Sequence, residues 1–507
     1  MRLCRVRTAT LIVLASLLFV ASIGTTGTAA AADVEQSDTQ MKLQSTETYP
    51  LIFPIVGDTY YSDTFGAARS GGRTHEGIDI MGYGWKGIPI VAAHDGVIER
   101  TTASSGRACC AIWGLVADDG WETWYIHMNN DTPGTDDGKG WGFVPGLEVG
   151  TRVEAGQLIG WVGDSGNAEW VTPHLHFELH KNGAVVNPYP SLQAATTIDM
   201  PRIAGPNRFT TAVEVSQSAY PDGANVVYLA TAYNFPDALA GGTGAARTNG
   251  PILLSEVDSV PAVTLDEIRR LDPSRVVILG GEAALAPTVE EDLAEFGADV
   301  VRLAGRDRYD TAAQISRMHF EPGVRYAFVT GGLDFPAAVA GAPAAAQAES
   351  PMVLTRPDSL PADTRNELAR LRPEVIIVLG NTGVVGASVE EELAAYAASG
   401  RVERLAGGDV YGTAVAISTW AQPDGSDTAY LATSGTYVDA LAGIAVAARD
   451  GAPILLVGDD LDPAVEGEIE RLGAEDVVAL GGPAAVKPRI AMRIWNNLNN
   501  NDMPLWK

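Results

Sequence analysis

From residue 202 onward the sequence repeats itself at a period of about 100 residues. RIAGPNRFTTA at 202–212 returns as RLAGRDRYDTA at 302–312 and as RLAGGDVYGTA at 404–414. YLATAYNFPDALAG (228–241) returns as AFVTGGLDFPAAVAG (327–341) and YLATSGTYVDALAG (430–443). PILL, PMVL and PILL follow, and RVVILGG, EVIIVLG and DVVALGG come next in the three copies. Blocks recurring in one order are the mark of internal duplication, so whatever one copy folds into, all three must. Short apolar runs such as VVILG alternate with Ala- and Glu-rich helical stretches such as 261–271 and 361–371. Continuous apolar strands alternating with helices imply a parallel sheet covered on both faces. Each copy is expected to be a small three-layer α/β domain, with boundaries at 201–298, 299–400 and 401–495 and a tail at 496–507.

The part before the repeats reads differently. Arg2, Arg5 and Arg7, an apolar run from Leu11 to Ile23 and the small residues Ala30 to Ala32 read as a secretory signal peptide over 1–32. Residues 33–50 are polar, without periodicity, and read as a linker. Residues 51–190 are rich in Gly, Trp and short β-type runs, including Ile88–Ala92, Trp121–His127 and Leu158–Val162, and read as an all-β domain. A short linker at 191–200 joins it to the repeats. Nothing after the leader reaches the 18 or so apolar residues of a membrane span, so a soluble, exported chain is expected.

Six of the seven histidines fall between residues 75 and 180. His75-Glu-Gly-Ile-Asp79 places an imidazole and a carboxylate four apart, on one face if extended. His174-Leu-His176 places two imidazoles on one strand face, and His127 ends the run WETWYIH. Four imidazoles and a carboxylate suit a catalytic zinc site, which takes three N/O ligands and leaves a position for water. Imidazoles left over suit base and oxyanion roles. His94 and His180 are expected to be exposed bystanders, and His319, alone in a repeat, to be structural or solvated. VAAHDG and GDSG echo trypsin-like segments, but His94 and Ser165 stand in a domain too short for that two-barrel fold. Cys109 and Cys110 are adjacent and read either as two thiols or as a strained vicinal disulfide.

THEGIDIMG, PIVAAHDGVI, the strand ending YIH, the turn GDSGN and TPHLHFEL together resemble the lysostaphin/LytM-like zinc endopeptidases that cut peptide cross-bridges of peptidoglycan. The resemblance covers about 51–190. It implies one catalytic Zn2+ held by His75, Asp79 and His176, with His127 and His174 serving the reaction. The chain departs from that family in the long acidic loop 129–146, whose Asp131, Asp136 and Asp137 read as a solvated groove wall or as calcium ligands.

The repeats, through Arg-Leu-Ala-Gly, Phe-Pro-Asp-Ala-Leu-Ala and Ile-Leu-Gly-Gly, resemble the cell-wall-binding type 2 repeats of Gram-positive surface proteins. The resemblance implies Rossmann-like domains, three of which form a trimer-like unit and bind anionic secondary wall polymers. Candidate polymer contacts are Arg202, Arg208, Asp237, Arg302, Arg308, Arg404 and Asp439. The match is uneven, with Val410 replacing the Arg and Ala337 the Asp in one copy each. The other use for these arginines is to hold the repeat's own structure. A net charge of -28 argues against nucleic acid as a partner. The expected protein is a secreted zinc endopeptidase acting on peptidoglycan and held at the wall by its repeats. The rival is a non-enzymatic wall-binding protein or a regulator of other wall hydrolases.

Overall fold

The computed structural model describes residues 47–494 apart from 58, 83, 103–109, 141, 199–200, 235, 488 and 491–492. The expected leader, most of the first linker and the tail lie outside the described residues. The chain divides into two compact units, one built on Thr59–Thr196 and one on Thr197–Leu505. Among the described residues no helix is long and apolar enough to cross a membrane.

The first unit is antiparallel β. Its strands are β1 (Ile78–Met81), β2 (Pro89–Val91), β3 (Gly96–Ile98), β4 (Ile112–Val116), β5 (Trp121–Ile126), β6 (Arg152–Val153), β7 (Leu158–Trp161), β8 (His174–Lys181) and β9 (Ala184–Val186), followed by a short helix α1 (Tyr189–Ala194). The main sheet has the order β1-β8-β5-β4-β3-β6, with β9 on the other part of β8, while β2 and β7 pair separately. Period-two alternation decides which face is which. In β5, Trp121, Thr123 and Tyr125 are buried while Glu122, Trp124 and Ile126 are only partly covered. Tyr125 packs edge-on against Phe177 at 5.5 Å, and its hydroxyl accepts the Ala93 N–H at 2.7 Å. Ile78, Ile80, Leu175 and Leu179 complete that buried face. The opposite face, carrying Asp79, His174 and His176, is left for chemistry.

The second unit repeats one α/β layout three times. The first copy runs β10 (Arg202–Ile203), α2 (Arg208–Ala219), β11 (Val226–Thr231), α3 (Pro236–Arg247), β12 (Ile252–Ser255), α4 (Ala262–Leu271), β13 (Arg275–Leu279) and α5 (Pro287–Leu293). The second runs β14 (Asp299–Leu303), α6 (Arg308–His319), β15 (Tyr326–Gly331), α7 (Pro336–Gln347), β16 (Met352–Thr355), α8 (Ala362–Leu371), β17 (Val375–Leu379) and α9 (Ala387–Leu393). The third runs β18 (Arg401–Leu405), α10 (Val410–Ala421), β19 (Thr428–Thr433), α11 (Val438–Arg449), β20 (Ile454–Val457), α12 (Pro463–Leu472) and β21 (Asp476–Leu480).

Each sheet is parallel but does not coincide with one sequence copy. The orders are β12-β11-β13-β14, β16-β15-β17-β18 and β10-β21-β19-β20. The opening strand of each copy therefore completes the sheet of the preceding one, and β10 completes the last, pairing Arg202 with Ala479 and Ile203 with Leu480. Boundaries placed before Arg302 and Arg404 cut the sequence repeat cleanly but divide two sheets.

Three arginines secure these exchanged strands. Arg302 donates to the carbonyls of Gly280 and Leu285 at 3.0 and 2.8 Å, and Arg404 to those of Gly380 and Val385 at 2.6 and 2.8 Å. Arg202 donates to Val486 O at 2.8 Å. A second device also recurs: the buried carboxylates Glu267, Glu367 and Glu468 accept from Ser216, Ser316 and Ser418 at 2.5–2.6 Å and pair with Arg270, Arg370 and Arg471. A buried charge needs such a partner, since an uncompensated one is strongly destabilising.

Helices α3, α7 and α11 meet in one apolar core that draws on all three copies, including Leu239, Val339 and Leu441. Each of these helices carries a glycine facing its own sheet. A Cβ at Gly241, Gly341 or Gly443 would lie 2.1–2.3 Å from the Cδ1 of Leu279, Leu379 or Leu480. In an exposed helix, replacing Gly stabilises. Here Gly341→Val is expected to destabilise the repeat unit by about 1–3 kcal/mol, because the fully buried Leu379 has nowhere to go. Thermal unfolding of the purified chain checks this, and an unchanged or raised Tm would refute the packing argument.

Candidate metal centre

β1 and β8 pair antiparallel with Asp79 opposite His176 and Met81 opposite His174. Directly opposed residues share a face, so the pairing alone brings Asp79 and His176 together. His75 precedes the strand, and the chain reaches it through Gly77. A side chain at 77 would strike Phe177 O and the His176 ring, at 2.5 and 2.8 Å, so glycine is required for this close approach. His75 and Asp79 converge by way of a loop and not along a continuous strand.

Three donor atoms meet. His75 Nε2 is 3.1 Å from Asp79 Oδ1 and 3.0 Å from His176 Nδ1, and His176 Nδ1 is 2.8 Å from Asp79 Oδ1. Two imidazole nitrogens and a carboxylate oxygen in a closed triangle form a tridentate set that fits a divalent metal. The outer nitrogens are tied back. His75 Nδ1 is 3.0 Å from Thr64 O, and His176 Nε2 is 2.9 Å from Glu178 Oε1. A carboxylate behind a ligating imidazole fixes its tautomer and raises its basicity. Glu178 also takes His180 Nε2 at 2.9 Å. The guanidinium of Arg69 holds the second Asp79 oxygen at 2.6 Å.

The charges follow from this packing. Burial opposes ionisation of Asp79, but hydrogen bonds from His176, His75 and Arg69 outweigh it and hold the carboxyl well below the usual range. For His176 burial again opposes the charge, yet Asp79 and Glu178 raise it to about 9. Burial likewise pushes Glu178 up, while His176 and His180 bring it down to about 2.

His127 and His174 close the site from the other side. Their rings are 5.0 Å apart, and His127 lies 6.0 Å from His176. β5 ends at Ile126, whose partner is His176. Simple alternation would send His127 to the buried face with Tyr125. It does not go there, because His127 adopts a left-handed φ of 65°. Non-glycine residues are uncommon in that region and tend to be held there at functional sites. His127 Nδ1 then donates to Ser165 O at 2.8 Å, and His174 Nδ1 to Thr172 O at 2.8 Å. His174 Nε2 is left 3.9 Å from Asp79 Oδ1. Burial, then the neighbouring His174, pushes His127 down to about 4, so it is neutral at pH 7.

Several expectations need correction. His94 and His180 are not exposed: they are 5% and 4% accessible. His94 Nε2 meets Thr123 Oγ1 at 3.0 Å, and His180 stacks on Trp124 at 4.3 Å. His94 is covered in its turn by Tyr49, at 5.5 Å, and His180 on its strand by Trp124, which a lone His in a turn or at a strand end does not signal. The loop after His127 is not simply a solvated wall either, since Asp131 is fully buried against Lys86. Cys110 is disulfide-bonded, with a partner outside the described residues. His319 is structural, its Nε2 3.2 Å from Tyr228 OH. Glu178 was missed, although its place two residues after His176 on one strand is a usable signal. Nothing in the sequence points to Thr64 or Lys86.

In the repeats, Arg208 and Arg308 donate to Ala232 O and Gly332 O at 2.8 and 2.6 Å, holding turns of their own copies. With Arg202, Arg302 and Arg404 they take the structural use that the sequence leaves open. Asp237 is buried, which raises its pKa, and lies beside the Thr311 hydroxyl of the next copy; Asp439 stands likewise beside Thr211. Tyr233, Asp237, Arg306, Arg308 and Thr311 line a cavity of about 300 Å³.

Comparison with known proteins agrees with both halves. The profile of Cell wall binding domain 2 (CWB2) matches residues 202–290, 302–390 and 404–491, just over half of the chain, and that of Peptidase family M23 matches 73–188. The chain is 25% identical to the N-acetylmuramoyl-L-alanine amidase LytC of Bacillus subtilis (strain 168), over 58% of this chain and 58% of that protein. It is 35% identical to the L-Ala--D-Glu endopeptidase of the same organism, over 29% of this chain and 43% of the relative. Among solved structures, Cwp8 from Clostridium difficile aligns at 28% identity with a TM-score of 0.54, covering 64% of this chain and 59% of that one. The chain thus spans less than two thirds of these relatives. Three repeats of parallel sheets behind an antiparallel domain with a His/Asp triangle therefore make this chain a member of the cell wall binding domain 2 family that carries an M23 peptidase domain.

Proposed function

We propose that this protein is a secreted zinc endopeptidase that hydrolyses peptide bonds in peptidoglycan stems or cross-bridges and is held at the wall by its three repeats. The observation that carries the reading is the closed triangle of His75 Nε2, Asp79 Oδ1 and His176 Nδ1, with His127 and His174 facing it. The profile match over the same residues and the 35% identical endopeptidase support it.

In this reading His75, Asp79 and His176 hold one Zn2+, which supplies Lewis acidity and a water of lowered pKa. The chain's own residues do the rest. Glu178 keeps a proton on His176 Nε2 and so presents Nδ1 inward. His127, neutral and donating from Nδ1 to Ser165 O, presents an unprotonated Nε2 that takes a proton from the attacking water. His174, its Nδ1 held by Thr172 O, turns its Nε2 toward the place where the oxyanion develops.

The repeats act as the anchor, packing within one chain as a trimer-like unit through α3, α7 and α11. Of the residues singled out for polymer contact, Asp237 and Arg308 line the cavity, which makes that cleft the place to look first. Anchoring raises the local substrate concentration by keeping the enzyme on an insoluble target.

Chelation is expected to abolish clearing of a peptidoglycan suspension and Zn2+ to restore it; persistence in chelator sinks the zinc mechanism. His174→Ala should retain metal and lose turnover by at least about 100-fold, whereas His176→Ala should lose both. Equal zinc content in the two variants would overturn this assignment of roles.

Asp79 and Glu178 push His176 up to about 9, so binding of a metal at Nδ1 displaces a proton. Affinity for Zn2+ should therefore rise about tenfold per pH unit between pH 6 and 8. A flat profile in metal titrations would contradict the assignment of His176. Residues 197–507 are expected to pellet with cell walls. If only the β domain pellets, the repeats are not the anchor.

A further inference from the structure

Lys86 has no part in the metal triangle, yet it is one of the most buried charged groups of its unit, 5% exposed. Its ammonium donates to Asp131 Oδ2 at 2.7 Å and to Asp136 Oδ1 at 2.8 Å. Asp164 Oδ1 lies 2.8 Å from the same nitrogen as an ion pair without hydrogen-bond alignment. Burial works against the charge, but Asp131, Asp136 and Asp164 hold the ammonium above the ordinary lysine value. The cation that the acidic loop was read as capable of binding is thus supplied by the chain itself.

The three carboxylates belong to segments that flank His127. Asp131 and Asp136 stand in the loop just after it. Asp164 sits inside the Gly163-Asp164-Ser165 turn, whose Ser165 carbonyl accepts His127 Nδ1–H at 2.8 Å. Gly163 N–H returns to His127 O at 3.1 Å, and Ser165 Oγ accepts Cys110 N–H at 2.6 Å. The bridge between Met128 and Val162 ties the His127 carbonyl to this turn, and the bond from Nδ1 to Ser165 O sets the direction of the ring.

We infer that Lys86 is a positioning residue: by clamping Asp164 to Asp131 and Asp136 it fixes the Ser165 carbonyl and, through it, the tautomer and direction of His127. The inference rests on the assignment of His127 to the reaction.

The test uses the full chain loaded with Zn2+ and the variant Lys86→Met, which keeps the length of the side chain and removes its charge. kcat is expected to fall about 10–100-fold with KM and bound zinc unchanged, the cost of a catalytic group displaced by about an ångström. In long-range 1H–15N spectra of the histidine side chains, His127 should be the Nδ1–H tautomer in the parent and should lose that signature in the variant. If Lys86→Met does not fold, Asp164→Asn is the deciding variant. It frees only the turn and leaves Lys86 paired with Asp131 and Asp136, and the same kcat and tautomer changes are expected. A folded variant with the parent's kcat and an unchanged His127 signature overturns the inference. So does a loss of zinc in step with the loss of kcat, since the effect would then run through the metal ligands. Should the parent show no peptidase activity, the proposed function fails, while the His127 tautomer still decides this inference.

Discussion

The site depends on how each imidazole is held from behind. An imidazole has two nitrogens, and only one can face a shared centre. In this protein His75, His127 and His174 each give Nδ1 to a backbone carbonyl, and His176 gives Nε2 to Glu178. The remaining nitrogens of His75, His174 and His176 lie 3.1, 3.9 and 2.8 Å from Asp79 Oδ1, and the His127 ring is 5.0 Å from that of His174. Three of the four anchors are main-chain atoms, so the chemistry of the site is written into loop conformation as much as into side-chain identity. That explains why turns with no reactive group of their own, 64–67 and 163–165, stand where they do.

The repeat unit shows the same reliance on backbone, at larger scale. Parallel strands need their edges covered, and each copy meets the need by lending its first strand to the sheet of the preceding copy. Arg302 and Arg404 then reach across to the carbonyls of Gly280 and Gly380, each just past the end of a strand in that sheet. A guanidinium suits this task, since its planar fork serves two carbonyls at once. The recurring arginine at the start of each copy thus has a use in folding.

Much of this was legible in advance. The apolar runs at 275–279 and 375–379 are strands, the Glu-rich stretches after 261 and 361 are helices, and the β domain is antiparallel. Strand alternation and register are enough to bring Asp79 and His176 together, while His75 joins them through the loop at Gly77. What alternation cannot convey is a departure from itself. His127 reaches the site only through its left-handed backbone, and it was placed by resemblance, not by periodicity. Burial of His94, His180, Asp131 and Lys86 depends on segments far away in the chain, so composition within the loop 129–146 gave the wrong picture of Asp131. The exchange of strands between copies was equally hidden, since a repeat in sequence has no fixed starting point.

The pairing of β10 with β21 has a consequence for the order of assembly. The first strand of the unit is made early, and its partner only after the other two sheets have all their strands. The third sheet is incomplete until both ends of the unit exist. Length is checked in the same act. A chain broken off before β21 leaves β10 unpaired at its start as well as an open sheet at its end, and the fault is felt at both places together.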